Sequence, residues 1–305
     1  MKKIFVTMIM ALVAMVTMSA QQTVVQNKEL DAFTTVKVGG KFSFTLKTAP
    51  RHSVRITVDE RIADYVRPVV KSGTFSIVLD EKKYPADLKK ALKAKGAKEP
   101  VLEVEISAPY ISELEVKEKA QLLEADHIKV DKFTLTTSGS AKVNGLNVSC
   151  VCGELNFSGS SSSNVIVDVD TKLEINSENS SSNVVTQRGG NSLVKSKGSS
   201  NLSLKTEVVD IDIESALASN IYLSGSASAL NVQATGGSLI DAEALEVKEG
   251  NFVQSGLSKC HVNVAERMKV NLTGGTTLTF KRSPLIEVDR IVNSTLIKAD
   301  DPKRK

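Results

Sequence analysis

The stretch Leu155-Asn156-Phe157-Ser158-Gly159-Ser160-Ser161-Ser162-Ser163-Asn164-Val165-Ile166-Val167-Asp168-Val169 decides how the chain folds. Apolar side chains occupy every second position before the serines and again after Asn164. That period belongs to a half-buried strand, not to a helix. Ser, Gly and Asn between the two runs tolerate tight or left-handed backbone and can hydrogen-bond it locally. The same unit recurs along the chain. Leu135 precedes Ser138-Gly139-Ser140, Leu173 and Ile175 precede Ser180 to Asn183, and Ile211 and Ile213 precede Ser219-Asn220. Leu230 and Val232 precede Gly236-Gly237, and Met268 and Val270 precede Gly274-Gly275.

The first apolar residue after each turn gives a register: Val143, Val165, Val184, Leu202, Ile221, Leu239, Cys260, Leu278 and Leu296, spaced 22, 19, 18, 19, 18, 21, 18 and 18. A fixed period this short marks stacked coils. One coil cannot bury its own apolar face, but coils stacked about 4.8 Å apart pair every backbone group above and below. The pattern predicts an all-β solenoid of about 18–22 residues per coil, nine coils making a rod of roughly 40 Å. Asn164, Asn183, Asn201 and Asn220 each precede an apolar opener, which predicts a structural ladder of stacked amides. A β-sandwich also fits short, evenly spaced strands; the near-constant period and the asparagine row favour the solenoid.

Outside the repeat, residues 1–20 have the layout of a secretory signal peptide: Lys2 and Lys3, an apolar run from Ile4 to Met18, then Ser19 and Ala20. The run is too short for a membrane-spanning helix, and no later segment is long and apolar enough. The expected organisation is a signal peptide (1–20), an N-terminal β region (21–110), β-helix repeats (111–299) and a charged, proline-broken, disordered tail (300–305). Within the N-terminal region Pro85, Asp87 and Gly96 frame one short helix in a lysine-rich insertion near 81–99. Leu88, Ala91 and Leu92 share a face of it. Both ends of a rod expose strand edges and need covers; the tail's charge is one deterrent to end-to-end stacking.

Composition narrows function. Without Lys2 and Lys3, 39 basic residues become 37, against 35 acidic, so nothing electrostatic calls for nucleic acid. Nine Phe, four Tyr and no Trp weigh mildly against a dedicated lectin. Cys150, Cys152 and Cys260 fall on positions expected to face inward, as small hydrophobes rather than redox or metal groups. Asp168 with Asp170, and Asp210 with Asp212, point outward in pairs. One coil beyond Asp168 the register places Gln187 and then Lys205, so no acidic column forms. The glycine pairs lack the Gly-x-Asp of calcium-binding β-rolls. His52, His127 and His261 have no ligand-spaced partners. No catalytic, cofactor or metal site is therefore expected. The lysines around Lys89, Lys90 and Lys93 are weak candidates for an anionic ligand, against the plainer reading of a solubilising face.

With these residues in view, the sequence resembles the head GIN domain family of auto-transporter adhesins from Gram-negative bacteria. The resemblance runs over roughly 29–299. It rests on Phe33 to Val38, Gly39-Gly40, Phe42 to Phe44, Val58-Asp59-Glu60 leading to Tyr65-Val66, Gly73 to Leu79, the Ile106 to Pro109 step and the Ser-Gly-Ser turns. It implies a right-handed parallel β-helix and a role in the cell envelope, in the periplasm, at the outer surface or beyond. It brings no catalytic residues. The expected function is non-catalytic adhesion to an envelope, glycan or host-surface ligand; the alternative is a polysaccharide lyase or hydrolase on the same scaffold.

Overall fold

A computed structural model describes residues 22–299; the expected signal peptide and tail lie outside the described residues. All 21 strands join one hydrogen-bonded sheet that winds as a β-solenoid of about ten turns. Alternation does what the sequence demanded. Along Ser162–Ser177 buried and outward residues alternate, and the buried ones, such as Val165, Val167, Leu173 and Ile175, stack on equivalents in the neighbouring coils. Most apolar side chains in the stack thus meet others above or below. The backbone groups find their partners in the same direction.

The stacking corrects the register. The inward position after the turn is held by Val143, Ser163, Asn183, Leu202, Ile221, Ile240, Cys260 and Leu278, spaced 20, 20, 19, 19, 19, 20 and 18. In two coils that position is polar, so taking the first apolar residue slipped the count there. Val184 faces outward, 48% exposed, and Leu239 also lies on the outer side of Ile240. The four asparagines therefore do not form one ladder. Asn164 lies beside Val184, and Asn183 between Ser163 and Leu202. Only Asn201 and Asn220 stack, with Asn220 Nδ2 donating to Asn201 Oδ1 at 2.9 Å.

The continuous polar ladder is made of hydroxyls instead, inside the turn. Ser161, Ser181, Ser200, Ser219, Ser238, Ser258 and Thr276 succeed one another coil by coil and are all buried. Facing them across the turn are Ser177, Ser196 and Ser215, whose Oγ atoms lie 3.0, 2.8 and 2.8 Å from those of Ser181, Ser200 and Ser219. Ser200 Oγ reaches the Ser177 carbonyl at 3.1 Å, tying adjacent coils. In the middle coils these serines satisfy buried polar groups at the turns, beyond tolerating a bend, whereas the Ser258 and Thr276 hydroxyls have no partner among the described residues.

At the N-terminal end chain order and spatial order part. Strands Thr35–Val38 and Ser43–Thr48 lie between the later strands Thr74–Leu79 and Leu102–Ala108 on one side and Glu113–Val116 and Gln121–Ala125 on the other, all parallel. Antiparallel strands Ser53–Asp59 and Val66–Lys71 extend this end, and Thr23–Glu29 pairs beyond Ser53–Asp59. The helix spans Ala86–Lys93, with Pro85 just before it. Leu88 and Leu92 pack on the core, whereas Ala91 is exposed. At the other end Leu285–Val292 and Thr295–Lys298 close the rod, and most of their side chains are exposed.

Candidate binding face

Two outward columns run side by side on the strands that lead into the turns. Thr136, Asn156, Asn176, Lys195, Glu214 and Gln233 form one; Glu154, Glu174, Leu193, Asp212 and Asn231 are among the other. Neighbours in a column are one coil apart, so short polar side chains can link. Asn176 Nδ2 donates to Asn156 Oδ1 at 2.8 Å, Asn231 Nδ2 to Asp212 Oδ1 at 2.9 Å, and Lys195 Nζ to Glu174 Oε1 at 2.9 Å. That last bond holds the Glu174 carboxyl below its ordinary range and raises the Lys195 ammonium. A shallow groove of 290 Å³ follows the columns, lined by Asn176, Glu178, Lys195, Lys197, Glu214 and Gln233 among others. The face is a flat array of amides and paired charges. Sequence reading missed it because the slipped register did not align the two columns; the Lys195–Glu174 bond runs diagonally between them, from Lys195 above Asn176 to Glu174 beside it.

The acids singled out from sequence do not converge. Asp168 stacks on Arg188, with Nη1 to Oδ1 at 3.4 Å, and Glu207 follows. The expected neighbours Gln187 and Lys205 were each off the true row, Gln187 by one position and Lys205 by two. Asp210 accepts from Asn191 at 3.4 Å, and Asp212 from Asn231. Asp168, Asp210 and Asp212 thus each have a separate partner. One nucleophile–base contact escaped notice: His127 Nε2 lies 2.8 Å from Ser149 Oγ. Among the described residues, no carboxylate bonded to the imidazole orients it, as the triad arrangement requires. Among the described residues no group of three or more His, Cys, Asp or Glu is placed to hold a metal ion.

Lys89, Lys90 and Lys93 are exposed on the helix. Lys89 Nζ donates to the Lys82 carbonyl at 3.3 Å, and Lys90 and Lys93 have no carboxylate partner among the described residues. Nearby, Lys83 pairs with Asp80 at 2.8 Å. Of the cysteines, Cys150 and Cys260 are buried, and burial pushes the Cys150 thiol up to about 11 and raises that of Cys260. Cys152 departs from expectation. The ladder slips between Cys150 and Cys152, ending the alternation, and leaves Cys152 half-buried.

Among the described residues no helix is long and apolar enough to cross a membrane. Solved structures similar to the chain include a putative adhesin from Parabacteroides merdae, 16% identical over 92% of this chain and 97% of that one, with a TM-score of 0.44. A putative lipid binding protein from Parabacteroides distasonis is 15% identical over 91% and 97%, with a TM-score of 0.42. No curated protein matches the chain. The family model described as putative auto-transporter adhesin, head GIN domain, matches twice, over residues 32–165 and 151–284. Together the matches span most of a repetitive rod whose halves resemble the same template, and the chain belongs to the head GIN domain family of putative adhesins.

Proposed function

We propose that the protein is a non-catalytic adhesin of the cell envelope that holds a glycan or surface polymer along the two outward columns. The observation that carries this reading is the unbroken column from Thr136 to Gln233, one polar or charged side chain per coil. A polymer laid along the rod would meet similar donors and acceptors at each step. Each contact is weak, and affinity grows by adding coils. Residues 1–20 would direct export, and the lysines at 89, 90 and 93 would add an anionic contact near one end.

Binding of the purified chain to immobilised mucin glycans, peptidoglycan and pectin tests the proposal. Asn156→Ala, Asn176→Ala and Gln233→Ala should each weaken capture severalfold, and the triple variant should abolish it. Capture unchanged in the triple variant would move the site elsewhere. Release of reducing ends or unsaturated products, lost in Asp168→Asn or Asp210→Asn, would replace adhesion with the lyase or hydrolase reading.

A further inference from the structure

The last coil leaves an open edge. Among the described residues, strand Leu285–Val292 pairs only with strand Lys259–Thr273, and Thr295–Lys298 only with Thr277–Lys281. In the coil beneath, Met268, Val270 and Leu272 are fully buried. Among the described residues, no strand lies above their successors Ile286, Val288 and Ile291, and Val288 is 53% exposed.

Charged residues and bulges are the ordinary guards of an edge strand. This edge has both: the ladder slips at Asp289, which has no partner below. The bulge has a second effect. With Asp289 looped out, the strand reads Leu285-Ile286-Glu287-Val288 and then Arg290-Ile291-Val292. Ile286, Val288 and Ile291 follow an inward row, while Glu287 and Arg290 follow outward ones. The strand is therefore a palindrome in character about Val288, with charge reversed at mirrored positions.

We propose that two copies of this chain join tail to tail, strand 285–292 pairing antiparallel with itself about a two-fold axis at Val288. Such an axis requires one residue to face its own copy, and Val288 does. Ile286 then faces Ile291 of the second copy, Leu285 faces Val292, and Glu287 faces Arg290, each twice. Arg290 has no carboxylate partner within the described residues. Glu287 only shares Lys269 with Asp289, at 3.5 and 3.1 Å. A two-fold contact uses the same strand on both copies, so it closes on itself and builds no filament.

Sedimentation of the purified chain tests this, with far-UV circular dichroism reporting the fold. The chain should be dimeric at about 100 μM, and Val288→Lys, which sets like charges together on the axis, should be a folded monomer. Glu287→Lys and Arg290→Glu should each weaken dimerisation by about tenfold or more, and an equimolar mixture of the two should restore it, since the swapped charges again face opposites. A monomeric parent chain, a dimer indifferent to Val288→Lys, or a mixture no better than its components would overturn the proposal.

Discussion

Leu217 holds a left-handed conformation at φ 63°, at the turn position that its neighbours fill with Gly198 and Gly236, and its side chain is 64% exposed. An L-residue pays about 1–2 kcal/mol there. Leu217→Gly should recover about 1 kcal/mol and raise the thermal midpoint by about 2–4 °C in a melting experiment. Gly225 is the opposite case. At φ 112° a Cβ would sit 1.9 Å from the Thr206 carbonyl oxygen, so the backbones of two coils would have to part. Gly225→Ala should cost more than about 2 kcal/mol, read from urea unfolding. The thiols separate too. Cys152 should react with a thiol reagent in the native state, and Cys150 and Cys260 only after unfolding, because only the last two are packed away from water. Sequence placed Cys150 and Cys260 correctly by alternation. It could not place Cys152, because a bulge leaves no mark on alternation itself.

Among elements, the coil was legible because burial dictates its apolar period, and its register was not, because two coils bury polar residues. Asn183 is 2% exposed, and neither atom of its amide finds a partner. An amide ladder would make Asn183→Leu destabilising. The actual position, next to Leu202, predicts the reverse, a gain of about 1–3 kcal/mol from removing an unpaired buried amide. An unchanged or lowered melting midpoint would show that the amide is satisfied after all. The hydroxyl ladder was present in the sequence as Ser161, Ser181, Ser200, Ser219, Ser238 and Ser258, spaced 20, 19, 19, 19 and 20. It passed for turn chemistry because serine is common in turns. The columns of the binding face were hidden for a related reason: outward residues carry no period of their own and become visible only once the inward rows are aligned.

Across the whole molecule, charges tie coil to coil on the outside. Glu174 and Glu243 are held below the ordinary carboxylate range by bonds from Lys195 and Lys281 at 2.9 and 2.7 Å. A depressed carboxylate contributes stability above its unfolded value of about 4.3 and loses it as pH falls through the folded value. The thermal midpoint should therefore be flat from neutral pH to about 5 and drop below about 4, less steeply in Glu174→Gln/Glu243→Gln. An equal drop in both proteins would place the acid sensitivity elsewhere. The N-terminal threading bears on time, not energy. A ribosome or export channel that delivers the chain from its N-terminus presents residues 35–48 before either neighbouring coil exists. One of those neighbours uses residues 74–108 and the other 113–125. The coils from 128 to 281 can be laid down in the order in which they arrive, each on a finished predecessor. The first coil has to wait, and the end of the rod that emerges earliest is not complete until about a quarter of the chain has followed it out.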